Sequence, residues 1–162
     1  MEKIKVAVVM GSESDLPVMR KACDTLKTLG IAHKTFIASA HRTPELLAAI
    51  VARCERAGAL VYIAGAGGAA HLPGVIASMT LRPVIGVPVN SKLSGLDSLL
   101  SIAQMPSGVP VAAMAVDGSA NAAILAAQIL AAADKNIHKK LALLRRGAAE
   151  KISQANDRLN KE

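Results

Sequence analysis

Apolar runs of strand length recur along this chain, and a helical segment follows each of them. Ile4–Met10, Leu60–Ala64, Val84–Val87 and Val111–Val116 are apolar almost without interruption, and His33–Ala38 reads as a further strand. A strand apolar on both alternating faces has no side to give to water, so its sheet must be covered above and below. The intervening segments supply that cover. They are Leu16–Leu29 stopping at Gly30, Pro44–Arg56 stopping at Gly58, a short helix to about Met79, Asp97–Ala103 and Asn121–Ala133. The alternation predicts an α/β fold with a doubly wound, five-stranded parallel sheet.

This is the plan of a flavodoxin-like three-layer sandwich, and 162 residues suffice for one such domain. With 52% hydrophobic residues but no Trp, one Phe and one Tyr, the core must be aliphatic and alanine-rich. Residues 1–134 form the α/β unit, and the chain changes character beyond Asp134. Ile137, Leu141, Leu144, Ala148, Ile152, Ala155 and Leu159 recur at spacings of three and four, one stripe of a long amphipathic helix over 135–162. We expect that stripe to pack on a neighbouring subunit as part of an oligomer interface. Cys23 and Cys54 fall inside separate predicted helices, outside any metal-type spacing, and read as buried small hydrophobes. No His/Cys/carboxylate set has ligand spacing, so no metal is expected. Every apolar run is far shorter than a membrane span, and the N terminus leads straight into a strand. A cytoplasmic protein without membrane contact or signal peptide is the expectation.

A net charge of +7 raises the question of nucleic acid. Residues 135–162 hold eight Lys/Arg against three Asp/Glu, so most of the excess belongs to the terminal helix. With almost no aromatic side chains for base stacking and no recognisable module, the chain reads as one without a nucleic-acid partner.

Parallel strands end along one edge, where open α/β sheets bind ligands, and the loops after strands one, two and three meet there. The first is Gly11-Ser12-Glu13-Ser14-Asp15. Its turn glycine, hydroxyls and following helix N-terminus offer donors to a phosphate, although neither Gly-x-x-x-x-Gly-Lys nor Gly-x-Gly-x-x-Gly is present. Asp15 can accept from ribose hydroxyls or cap the helix. The second is Ser39-Ala40-His41-Arg42-Thr43-Pro44. His41 can give and take a proton near neutral pH, and Arg42 presents a planar cationic fork to phosphate or carboxylate. Thr43-Pro44-Glu45 is equally an ordinary helix start, with an N-cap hydroxyl and proline in the first turn. The third, Gly65-Ala66-Gly67-Gly68-Ala69-Ala70, strips side chains from six successive positions and bares backbone to a small ligand, with the imidazole of His71 directly after it. Its structural alternative is a glycine turn for close helix–sheet packing. His33 and His138 read as structural or exposed.

Taken together, Met10–Asp15, Ser39–Pro44, Gly65–Gly74, Pro83–Val89, Leu96–Ile102 with Gln104-Met105-Pro106, and Gly108–Val111 resemble, in order, the 5-(carboxyamino)imidazole ribonucleotide mutase family of purine (IMP) biosynthesis. The resemblance spans roughly residues 4–133. One segment departs: Ala115–Asn121 is shorter than in some relatives, and it is expected to lie away from the three loops.

The resemblance implies an isomerase acting on an aminoimidazole ribonucleotide that bears a carbamate on its exocyclic amine. The carboxylate moves to the neighbouring ring carbon through trapped CO2, without cofactor. By position His41 would be the general acid and base. Substrate contacts would come from Ser12, Ser14, Asp15, Ser39, Arg42, Gly67, Gly68, Ala69, His71 and Leu72, with the bare loop holding CO2 and His71 closing the pocket. The family forms homo-octamers. Two alternatives stand beside this reading. One is the sister class that carboxylates aminoimidazole ribonucleotide directly with CO2, which departs from both the Ser39–Pro44 and Gly65–Gly74 motifs. The other is a non-catalytic flavodoxin-like nucleotide-binding module, which would have no need of His41.

Overall fold

The structure, a computed structural model, describes residues 4–160. Five parallel strands, β1 (Val6–Met10), β2 (His33–Ile37), β3 (Val61–Gly67), β4 (Val84–Val89) and β5 (Ala112–Ala113), form one sheet in the order β2-β1-β3-β4-β5. That order reverses direction between β1 and β3, the arrangement of flavodoxin-like folds. The helices are α1 (Leu16–Thr28), α2 (Pro44–Arg56), α3 (Leu72–Met79), α4 (Leu96–Ala103), α5 (Ser119–Ala131) and α6 (Lys135–Leu159).

Strand alternation divides the core in two. Val6, Val8 and Met10 of β1, with Ile63 and Ile85, face α1 and α5 through Met19, Ala22, Leu26, Ala123 and Ala127. Ala7 and Val9, with Tyr62 and Ala64, face α2 and α3 through Leu47, Ile50, Val51 and Ile76. Tyr62 is fully buried and its hydroxyl donates to the Val51 carbonyl at 3.2 Å, so the one tyrosine brings no unpaired polar atom inside. Cys54 is buried, whereas Cys23 is only partly covered and its thiol lies 3.3 Å from the Thr35 hydroxyl; neither forms a disulfide.

Strands β3, β4 and β5 differ from the sequence expectation. β3 and β4 both run further than their apolar cores, because backbone pairing continues through Gly65↔Val87, Ala66↔Pro88 and Gly67↔Val89. Ladder hydrogen bonds are indifferent to side chains, so tertiary pairing overrides the weak strand preference of Gly and Ala. Pro88 is tolerated because β5 pairs only through Gly86↔Ala113 and never reaches it. β5 is correspondingly a two-residue stub. Beyond it Asp117 donates its N–H to the Pro88 carbonyl at 2.8 Å, which draws the chain off the ladder.

The stripe of α6 is divided. Ile137 and Leu141 are buried in this chain's own core, and Leu144 packs against it. Asp134 caps the helix by accepting from the Asn136 and Ile137 amides at 3.0 and 3.3 Å, and holds Lys5 at 3.0 Å. Lys140 reaches the end of α1, donating to the Leu29 carbonyl at 2.9 Å. The far half leaves Ile152 and Leu159 about three-quarters exposed, at 73% and 75%.

Close packing of the α3–α4 layer rests on a glycine. A Cβ at Gly86 would lie 2.4 Å from Ile102 Cγ2 and 3.1 Å from Val111 Cγ1. Gly86→Ala is therefore expected to destabilise the protein by about 1–3 kcal/mol, the range of overpacked cores. Denaturant unfolding at fixed protein concentration measures it, and an unchanged midpoint would mean that Ile102 moves aside freely.

Candidate active site

Four strand ends build the site. After β1, the chain turns at Gly11 into a single 3-10 turn, Glu13–Asp15. Ser12 and Asp15 form a capping box: Ser12 Oγ accepts from the Ser14 amide at 3.4 Å, and Asp15 Oδ2 accepts from the Ser12 amide at 3.1 Å. Asp15 is buried and its carboxyl is pushed above the ordinary aspartate range. Desolvation causes the rise, against the opposing pull of the Ser12 and Gly11 amides, Ser14 and the Arg42 charge.

After β2, the loop closes on itself. Thr43 stands at the N-cap of α2, but its hydroxyl does not cap that helix. It accepts from the Ser39 amide at 2.9 Å and donates to the Ser39 carbonyl at 3.2 Å, fixing a tight ring over residues 39–43. Ser39 Oγ in turn accepts from the Arg42 amide at 3.2 Å and lies 3.4 Å from Arg42 Nε. Arg42 Nη2 donates to the Gly11 carbonyl at 3.1 Å, so the guanidinium ties the second loop to the first. The ring also turns His41 toward α3. His41 Nε2 and His71 Nδ1 are 2.8 Å apart, with ring planes at 85° and centroids 4.9 Å apart. One nitrogen donates and the other accepts, so a single N–H bridges the two imidazoles.

After β3, the backbone itself is the wall. Gly65–Gly67 are strand residues rather than loop, and the turn to α3 is made by Gly68 at φ +63°, where an L side chain is strained. The end of β4 brings Val89, with Asn90 and Ser91 after it, a fourth contribution the three-loop reading omits. The same edge rule that selected the first three loops could have found it, because Asn90 immediately follows a strand C-terminus. Asp117, in the left-handed region at φ +56°, accepts the Asn90 amide at 2.9 Å. The Ala115–Asn121 segment thus borders the site through this fourth strand end, which the expectation about the three loops did not cover.

These ends enclose a cavity of about 430 Å³. Ser12, Ser14, Asp15 and Ser39 line it, as do His41, Arg42, Gly67, Ala69 and Leu72. Gly68 and His71 stand behind its lining, Gly68 turned toward α4 and His71 hydrogen-bonded to His41. The cavity has the size of a small-molecule site. Its donors and cation suit an anion, its imidazole pair suits proton transfer, and its bare strand end admits a fragment to van der Waals contact with the main chain. Among the described residues no three or more His, Cys, Asp or Glu are grouped to hold a metal ion, and no helix is long and apolar enough to cross a membrane.

Fold and site together define a flavodoxin-like α/β protein with a pocket lined by hydroxyls, a guanidinium and an imidazole at the carboxyl edge of its sheet. Comparison with known proteins narrows this. The sequence matches the AIR carboxylase family over residues 5–151, and the chain belongs to that family. It is 52% identical over 159 residues to the N5-carboxyaminoimidazole ribonucleotide mutase of Pyrococcus horikoshii, covering 98% of this chain and 90% of that protein. It is 50% identical over 156 residues to the mutase of the same name from Escherichia coli, covering 94% and 92%. The crystal structure of Treponema denticola PurE superposes with a TM-score of 0.89 at 31% identity, over 97% of this chain and 99% of that one.

The raised pKa of Asp15 has a defined consequence for stability. A carboxyl that titrates higher folded than unfolded favours the folded state when protonated, and that advantage is lost as pH rises through the folded value. At pH 7 the ionised Asp15 therefore works against folding. Asp15→Asn keeps an oxygen for the Ser12 amide without the charge, and should raise the thermal midpoint at pH 7. The gain should shrink as pH falls towards about 4, where aspartate itself protonates. A lower midpoint at pH 7 would mean that the charge stabilises the site.

Proposed function

We propose that this protein is an N5-carboxyaminoimidazole ribonucleotide mutase of purine (IMP) biosynthesis, an isomerase that carries a carboxylate from the exocyclic amine to the adjacent ring carbon. Its pocket carries this reading: a proton-transferring His41, an anion cradle and a side-chain-free strand end meet in one cavity, in a chain half identical to mutases.

Ser12, Ser14 and Arg42 hold the phosphate, Asp15 accepts from the ribose, and Ser39 fixes Arg42 in place. Protonated His41 gives its proton to the carbamate nitrogen. The C–N bond breaks, its electron pair stays on nitrogen, and CO2 leaves. CO2 rests against Gly67 and Ala69, with Gly68 behind them, Leu72 beside it and His71 closing the pocket. The electron-rich ring carbon attacks it, forming the C–C bond, and His41 removes the proton from that carbon. His41 ends as it began, so the cycle needs no net acid, base or cofactor. The substrate is a ribonucleotide, the site is cytoplasmic, and the protein works as a homo-octamer. The exposed far half of α6 supports assembly through that helix.

The family's own description names a carboxylase, so direct use of dissolved CO2 is the reading to be separated. Carbamate labelled at its carboxyl carbon, turned over in unlabelled bicarbonate without ATP or divalent metal, should give mainly labelled product. Product carrying mostly the bulk isotope would favour the direct carboxylase. His41→Asn should bind nucleotide yet lose about two to four powers of ten in turnover; near-wild-type turnover would remove His41 from the mechanism. Arg42→Ala should chiefly weaken binding, and Arg42→Lys should restore it only in part, for want of the planar fork. A chain ending at Leu144 keeps the buried half of α6 and should fold but assemble to a smaller size by light scattering. An unchanged size would place the interface elsewhere.

A further inference from the structure

The bare strand end that lines the cavity has no side chains with which to hold itself. Glycine backbone loses the most conformational freedom on folding, and Gly68 occupies a φ that few residues adopt. Something outside the cavity must fix it. α4 does not line the cavity, yet it sends three side chains to the strand ends that do. Ser98 is completely buried, and its Oγ accepts the Gly68 N–H at 2.8 Å while donating to the Val89 carbonyl at 2.8 Å. One hydroxyl thus links the end of β3 to the end of β4. One turn further along, Ser101 Oγ lies 3.5 Å from the Gly68 carbonyl, so both backbone groups of that residue face α4. One residue earlier, the Asp97 carboxylate accepts from the Ser91 hydroxyl at 2.7 Å to each oxygen, which fixes the loop after β4. The carboxyl of Asp97 is held below the ordinary aspartate range, first of all by that hydroxyl, as a lasting acceptor requires.

We propose that Ser98, assisted by Ser101 and Asp97, is a positioning residue that braces the Gly67-Gly68 wall from behind and so sets how well the pocket confines CO2. This rests on the reading of that wall as the CO2 surface. Removing the hydroxyl takes this partner from the part-buried Gly68 N–H and from the buried Val89 carbonyl, and the cheapest relief is for the wall to shift and admit water. The ribose and phosphate contacts come from other strand ends and are untouched. The defect therefore appears in what becomes of CO2 rather than in nucleotide binding.

The experiment compares wild type with Ser98→Ala and Ser98→Cys, using carboxyl-labelled carbamate nucleotide and counting labelled product against free aminoimidazole ribonucleotide. Ser98→Ala should raise uncoupled decarboxylation about tenfold, within the range for one orphaned buried group, with KM within about threefold of wild type. Ser98→Cys, a weak donor and acceptor, should fall between the two. Slower turnover with unchanged partition would reduce Ser98 to a fold residue and overturn the proposal. If Ser98→Ala does not fold, the half-buried Ser101→Ala should show the same change at smaller size, and an unchanged partition there would count equally against the brace. Hydrogen exchange of the peptide spanning residues 64–71 tests the brace without turnover: it should quicken in Ser98→Ala, and unchanged exchange would overturn it. Wild-type enzyme that makes no labelled product would instead overturn the mutase reading, leaving the exchange result to decide the brace.

Discussion

Everything at the site depends on the parallel pairing of β1 with β3, from Val6↔Val61 to Met10↔Gly65. This pair is the central seam of the sheet, buried on both faces, and its register sets where the two strands stop relative to each other. Because the strands are parallel, both stop on the same edge. Because the strand order reverses at this seam, the chain leaves β1 toward one layer of helices and β3 toward the other, which opens a crevice between them. The β2 loop, joined to the β1 turn by Arg42 and the Gly11 carbonyl, then forms one wall. The β4 end, joined to β3 by ladder pairing, forms the other.

Such a seam requires small residues around it. A Cβ at Gly65 would lie 2.3 Å from Met19 Sδ, so the Met19 side chain of α1 occupies the space that glycine leaves over the end of β3. Across the sheet, Gly86 gives the same room to Ile102. The scarcity of aromatic residues follows from this geometry: α1 and α5 approach the sheet through Ala22, Ala123 and Ala127, and large rings would hold the layers apart. Close helices bring their N-termini and side chains within reach of the strand ends, which is how α4 can grip Gly68 and α3 can offer His71 to His41. Tight packing and site geometry are here one property.

Much of this was legible in the residues, and the boundary of legibility is physical. Helices α1 and α2 begin and end within about a residue of expectation, because Pro17, Gly30, Pro44 and Gly58 act locally. The three loops were legible because the edge rule converts linear order into proximity, and eleven of their residues line one cavity. What sequence did not reveal depends on partners distant in the chain. The extension of β3 through Gly67 needs β4 alongside, and the shortness of β5 follows from Asp117 binding Pro88. The Thr43 hydroxyl looks like a helix cap until Ser39 is seen to occupy both its bonds. Ser98 carries no local signal at all, since a serine inside a helix is ordinary until the strand ends it touches are known. The α6 stripe has one uninterrupted period, yet only its first half meets this chain's core, because α1 and α5 extend no further.

The proposed chemistry explains why the wall should be a strand end rather than a set of side chains. CO2 carries no charge and no dipole, so few polar groups can hold it; confinement has to come from shape and from excluding water. A wall of long side chains would fluctuate among rotamers and open gaps the size of a small molecule. A strand end held on one side by the β4 ladder and behind by a buried hydroxyl has no rotamers to sample. Behind it the Gly68 N–H and C=O are already engaged, by Ser98 Oγ and the Ala70 amide, so they offer water little reason to enter. In the proposed mechanism the polar work of holding the nucleotide falls to the β1 and β2 loops, where hydroxyls and a guanidinium can be solvated before the ligand arrives. The two tasks sit on opposite sides of the β1–β3 seam, and His41 projects from the polar side toward the bare one.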